Sequence, residues 1–103
     1  MNDKILSYLG LAMKSGNVVS GEFMTENAVK SGKSFLVILA SDCSDNTKKK
    51  FRNMCEFYET PYIEYSDKDM LGKCIGKEFR ASLSVNNEGF ATSILKHLNN
   101  NNE

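Results

Sequence analysis

Apolar residues recur along this chain at helical spacing and at strand spacing in turn, and the alternation divides it into successive elements. Ile5, Leu6, Leu9, Ala12 and Met13 follow Asn2-Asp3 and stop at Gly16, which predicts a first helix. Val18-Val19 reads as a short strand. Ser20-Gly21 then opens a second helix through Met24, Ala28 and Val29 to a stop at Gly32. Phe35 to Ala40 is apolar at every position, as in a strand covered on both faces. A third helix places Phe51, Met54, Cys55 and Tyr58 on one face. Pro61 restarts an extended segment, Tyr62-Ile63-Glu64-Tyr65, of high β-propensity. Ser66-Asp67-Lys68-Asp69 has the spacing of a capping box and begins a fourth helix with Met70, Leu71, Cys74 and Ile75. Ala81 to Val85 alternates like a strand with one buried face, and a last helix carries Phe90, Ile94, Leu95 and Leu98.

Helices between successive strands imply crossover connections and a sheet with helices on both faces. The expected fold is α/β, a three-layer α/β/α sandwich with a four-stranded mixed sheet. Residues 1–98 are expected to form one domain, with Asn99 to Glu103 a flexible polar tail. At 103 residues there is enough chain to bury one core. With 41% hydrophobic and 25% charged residues, the composition is that of a globular protein and not a disordered one. No apolar run approaches the ~20 residues that a membrane span needs. No secretory signal is legible at the start, and Cys43, Cys55 and Cys74 form no C-x-x-C pair. A cytoplasmic protein with inert, buried thiols and no disulfide, metal or cofactor is expected.

Searching for catalytic chemistry turns up little. His97 is the only histidine and lies near the polar tail, where an exposed or capping role is expected; no partner for acid–base work stands beside it in sequence. Gly72-Lys73-Cys74-Ile75-Gly76-Lys77 has the wrong glycine spacing for a phosphate loop, and helical periodicity runs through it. The Asp67 and Asp69 carboxylates suit a helix N-terminus. An enzyme is therefore not expected. Lys48-Lys49-Lys50-Arg52 reads as the solvated face of the third helix, with a phosphate contact from Lys48 as the alternative. A second basic set, Lys68, Lys73, Lys77 and Arg80, flanks the fourth helix and the turn into the last strand. In a sandwich of this kind that turn can lie beside Ser20-Gly21-Glu22, where free N–H groups of a helix start suit a phosphate. The formal net charge is zero, with 13 basic and 13 acidic residues, which opposes indiscriminate coating of nucleic acid more than recognition of one shape.

Val19-Ser20-Gly21-Glu22, Ala28-Val29-Lys30-Ser31-Gly32-Lys33-Ser34 through Asp42, Thr60-Pro61-Tyr62 and Leu71 to Glu78 together resemble the ribosomal protein L-seven-Ae / L-thirty-e family. Ser44-x-Asn46-Thr47-Lys48-Lys49-Lys50 and Gly72 to Glu78 are similar to its bacterial YlxQ-type branch. The resemblance runs from about Ile5 to Leu98. It implies a protein that binds kink-turns or related RNA internal loops, on the ribosome or in the manner of a ribosomal protein; a monomer is expected. It further implies that the second helix's start, at Ser20, Gly21, Glu22, Phe23, Met24 and Asn27, enters a widened groove beside sheared G·A pairs. By the same resemblance, Ile75, Gly76, Lys77, Glu78 and Phe79 form a loop packed on a flipped-out nucleotide, Lys68 approaches the RNA backbone and Ser44 stands near the protruding base.

The chain departs from the family at one place. Members that read the G·A pairs carry Asn-Glu and, three residues on, Lys; here Phe23, Met24 and Asn27 stand at those positions. The exchange removes base contacts worth ~1–3 kcal/mol for each bidentate pair. Two functions therefore stay open: a structure-specific RNA-binding protein, and a protein-interaction module on the same scaffold with RNA binding weakened or lost.

Overall fold

Asp3 starts the first helix: its carboxylate accepts the Leu6 N–H at 3.0 Å, satisfying one of the donors a helix start leaves free. The computed structural model describes residues 3–101; Met1, Asn2, Asn102 and Glu103 lie outside them. Helix α1 spans Lys4–Lys14 and buries Ile5, Leu6, Leu9 and Ala12. Strand β1 (Val18–Ser20), helix α2 (Glu22–Lys30), strand β2 (Leu36–Leu39) and helix α3 (Asp45–Tyr58) follow. Strand β3 (Tyr62–Glu64), helix α4 (Lys68–Cys74), strand β4 (Ser82–Val85) and helix α5 (Glu88–Asn101) come next among the described residues. The polar stretch expected as a tail from Asn99 is thus helical as far as Asn101.

The sheet order is β1-β4-β2-β3. Strand β4 is antiparallel to both β1 and β2, while β3 runs parallel to β2, so the sheet is mixed. Helices α2 and α3 pack together on one face and α1, α4 and α5 on the other. This is the three-layer sandwich the pattern of elements predicts. All four residues of β2 are buried, as its unbroken apolar run requires.

Strand β4 differs from its expectation. Its alternation of serine and aliphatic residues suggests one wet face, yet Ser82 and Ser84 are as buried as Leu83 and Val85. The serines are small, and α2 lies close against them with Thr25 fully buried. Ser84 Oγ donates to Asn86 Oδ1 at 2.6 Å and accepts from Ser34 Oγ at 2.7 Å, which offsets the cost of burying a hydroxyl. Thr25 Oγ1 and Ser82 Oγ have no such partner among the described residues.

Two smaller differences have local causes. Ser66 is not the cap of α4: it takes a positive φ of 62°, and Asp67 caps instead, accepting the Met70 N–H at 2.8 Å. His97 is half-buried, not at the surface, because its ring meets Tyr8 edge-on at 6.3 Å where α1 and α5 pack. The cysteines are free, with Cys43 and Cys55 buried and Cys74 half-buried. Burial pushes the thiols of Cys55 and Cys74 up to about 11. At neutral pH they are therefore protonated and poor nucleophiles.

Candidate functional site

Because β1 and β2 both oppose β4 while β3 parallels β2, the first three strands end at the same edge where β4 begins. Four connections meet at that edge: the β1–α2 turn, the β2–α3 loop, the β3–α4 loop and the α4–β4 loop. Of the residues proposed from the sequence for the site, Ser20 ends β1 and Asn27 lies in the second turn of α2; the others lie in these connections or in the first helical turns next to them.

Backbone and side-chain hydrogen bonds tie the four together. Gly21 N–H donates to Ser82 O at 2.9 Å, and Ala40 N–H to Ala81 O at the same distance. Lys68 N–H donates to Asp42 Oδ1 at 2.9 Å, joining the β2–α3 loop to the start of α4. Arg80 closes the set: its Nε donates to Ser20 Oγ at 3.0 Å and its Nη1 to the Phe79 carbonyl at 2.9 Å. The guanidinium thereby joins the end of β1, just before α2, to the loop before β4. The sequence placed Arg80 in a basic set but gave no sign of this clasp, which depends on a contact across sixty positions.

Helix α2 begins without a side-chain cap. Gly21 occupies the cap position at φ 91°, in the region that favours glycine, and no hydroxyl or carboxylate there takes up the first-turn N–H groups. Beside them Phe23 is 73% exposed and Met24 48% exposed. Met24 and Asn27 line a depression of about 490 Å³ that also touches Lys30, Ser31 and Lys33. Apolar side chains thus stand on the surface of a helix start where polar ones would be ordinary.

The α4–β4 loop is shaped by Gly72. A Cβ there would lie 1.7 Å from Glu78 O, so only glycine lets the loop cross back over α4. Lys77 N–H donates to Gly72 O at 2.8 Å, and Gly76 turns the chain at φ 74°. The loop then presents Phe79 at 68% exposure. Ile75 does not share in this surface: it is 5% exposed and its side chain belongs to the core, so only its backbone stands at the edge. Gly76, Lys77 and Glu78 are exposed. A glycine inside a helical pattern was the one signal in the sequence that could have pointed to this crossing.

Ser44 is exposed, but its hydroxyl is engaged as the cap of α3, accepting the Thr47 N–H at 3.1 Å and donating to Thr47 Oγ1 at 2.9 Å. Lys68 is half-buried at the start of α4. Among the described residues neither Lys68 nor Lys77 forms an ion pair, whereas Lys73 pairs with Asp69 at 3.2 Å. A depression of about 430 Å³ lies against Phe79, lined by Lys68, Asp42, Asp67 and Asp69. The edge is therefore of mixed charge. No group of three potential metal ligands occurs among the described residues, and none of their helices is long and apolar enough to cross a membrane.

The fold and this edge define an α/β/α protein whose uncapped helix start, exposed aromatic rings and unpaired lysines gather where three strands end and one begins. The chain belongs to the ribosomal protein L7Ae/L30e/S12e/Gadd45 family, which matches residues 3–95. The RNA-binding protein YlxQ of Bacillus subtilis is 38% identical over 90 residues, covering 87% of this chain and 90% of that protein. The large ribosomal subunit protein eL30 of Trypanosoma brucei brucei is 33% identical over 89 residues, covering 84% and 85%. A protein of unknown function from Bacillus halodurans superposes with a TM-score of 0.90 at 36% identity, over 93% of this chain and 97% of that one. The Giardia lamblia 15.5kD RNA binding protein, 20% identical, shares the fold with a TM-score of 0.79 over 96% and 91%.

Proposed function

We propose that the protein is a structure-specific RNA-binding protein whose target is a kink-turn or related internal loop, in ribosomal RNA or an RNA of similar form. The observation that carries this is the joining, by Arg80, of an uncapped helix start to a loop that holds an aromatic ring out to solvent. The N–H groups at the start of α2 suit a phosphate or a groove edge. Phe79 offers a face on which an unpaired base stacks, and Lys68 and Lys77 supply cations for the backbone. Family membership and the names of the relatives from Bacillus subtilis and Trypanosoma brucei support the same class of ligand and a ribosomal setting. The protein acts as a monomer in the cytoplasm on this proposal, and needs neither metal nor cofactor.

Phe23 and Met24 take the place of side chains that read guanine edges, so recognition here rests on shape and stacking more than on base hydrogen bonds. The test is a titration of the protein against a labelled kink-turn duplex and an unkinked control at two salt concentrations. Preference for the kinked duplex is expected. Lys77→Glu should weaken binding and flatten the salt dependence by a slope of about one, with thermal stability unchanged. An unaltered titration by Lys77→Glu means that this edge is not where RNA binds.

The exposure of Phe23 and Met24 favours a second reading, a protein-interaction surface. Equal affinity for both duplexes, or none for either, would move the search to other RNAs and then to protein partners. Loss of RNA binding in Phe23→Ala and Met24→Ala, with protein partners retained, would remove this second reading.

A further inference from the structure

One acidic side chain stands where an anion is to be received. Glu22 is the first residue of α2, immediately after the glycine that leaves the helix uncapped. A carboxylate at that position is drawn to the helix's own N–H groups by the macrodipole, and there it would compete with a phosphate. The structure holds it elsewhere. Glu22 Oε2 is 2.9 Å from the ammonium of Lys50, on α3. The same ammonium is 2.8 Å from Glu26 Oε1, and Glu26 Oε2 is 2.7 Å from Lys30. Four charges thus alternate across the α2–α3 contact. Hydrogen bonds to Glu26 and then Glu22 raise the Lys50 ammonium above its ordinary value, so it stays charged throughout the physiological range.

We propose that Lys50 is a positioning residue for RNA binding: it draws the Glu22 carboxylate onto α3 and cancels its charge, leaving the start of α2 open to a phosphate. The inference rests on the RNA-binding reading above. It also gives the basic run of α3 a use other than phosphate contact, since Lys48 is turned to Glu64 at 3.5 Å and Lys50 to α2. The Lys50–Glu22 pair is exposed on both sides and adds little to stability, so the effect of this pair belongs in binding and not in folding.

A double-mutant cycle on the kink-turn duplex tests it, with wild type, Lys50→Met, Glu22→Gln and the double variant. Lys50→Met should bind about three- to ten-fold more weakly, and Glu22→Gln about two-fold more tightly. In the Glu22→Gln background the Lys50→Met change should cost less than about two-fold. The salt slope of Lys50→Met should equal that of wild type, because Lys50 itself touches no phosphate. Lys50→Arg keeps the charge and should restore binding, which separates the effect from any loss of folded protein in Lys50→Met. The proposal is overturned by an equal loss in both backgrounds, by a slope reduced by about one, or by no loss at all. If wild type binds neither duplex, the RNA reading fails and this inference with it; binding with an additive cycle sinks the inference alone.

Discussion

At Gly72 the missing Cβ decides where Phe79 stands. The next stretch of chain passes so close that a methyl group would meet Glu78 O at 1.7 Å. Gly72→Ala should therefore destabilise the protein by about 1–3 kcal/mol, the usual cost of overpacking, and displace the loop that carries Phe79. Chemical denaturation of the variant, with its RNA titration, measures both effects; a variant as stable as wild type would mean that the crossing relaxes freely. Of the residues nominated from the sequence, Phe23, Lys77 and Phe79 do stand at the surface. Ile75 does not, because its side chain closes the core under the loop, and the Ser44 hydroxyl is occupied as a helix cap. Position in a motif puts these residues near one edge of the sheet; the direction of a side chain depends on what it packs against. Arg80 shows the converse, a residue whose partners are visible only once two distant turns meet.

Between elements, the contact of α2 with α3 is electrostatic at its rim, which predicts a sensitivity to acid. Hydrogen bonds from Lys30 and then Lys50 pull the Glu26 carboxyl down from its ordinary 4.5 to about 2. A group whose folded value is depressed contributes stability that is fully present above the unfolded value and disappears as pH falls through the folded one. Glu26 should thus contribute its full share above pH 4.5 and lose it on the way to pH 2. Melting temperatures of wild type and Glu26→Gln, taken from neutral pH down to this range, should differ at the top and converge at the bottom. Parallel curves would show that the pairing does not contribute. None of this was legible beforehand, since the lysine run suggested a solvated face or, at Lys48, a phosphate contact. The periodicity of α3 was legible, because Phe51 and Cys55 are set one turn apart and both reach the core. Strand β4 misled for a related reason: alternation shows which residues share a face, not whether a helix covers it.

On the scale of the molecule, one hydrophobic cluster draws residues from α1, α2, α3, α4, α5 and all the strands except β3, whose Tyr62 and Ile63 pack against the cluster as partly buried neighbours. Such a core should unfold as one unit, and thermal curves followed by far-UV circular dichroism and by tyrosine fluorescence should coincide. Separate transitions would divide the chain into more than the one domain expected. The sequence by itself determined the order and type of the nine elements of the described residues, the double burial of β2 and the resemblance that points to RNA, because periodicity and local turn chemistry are properties of neighbouring residues. Only the tertiary structure decided that β4 enters between β1 and β2, which carries its starting loop to the edge where the other strands end. Only there do Ser20 and Arg80 meet, Glu22 reach Lys50 and Gly72 pass beneath Glu78. These contacts join residues far apart in the chain, and they form only once burial of the core has fixed the strand order.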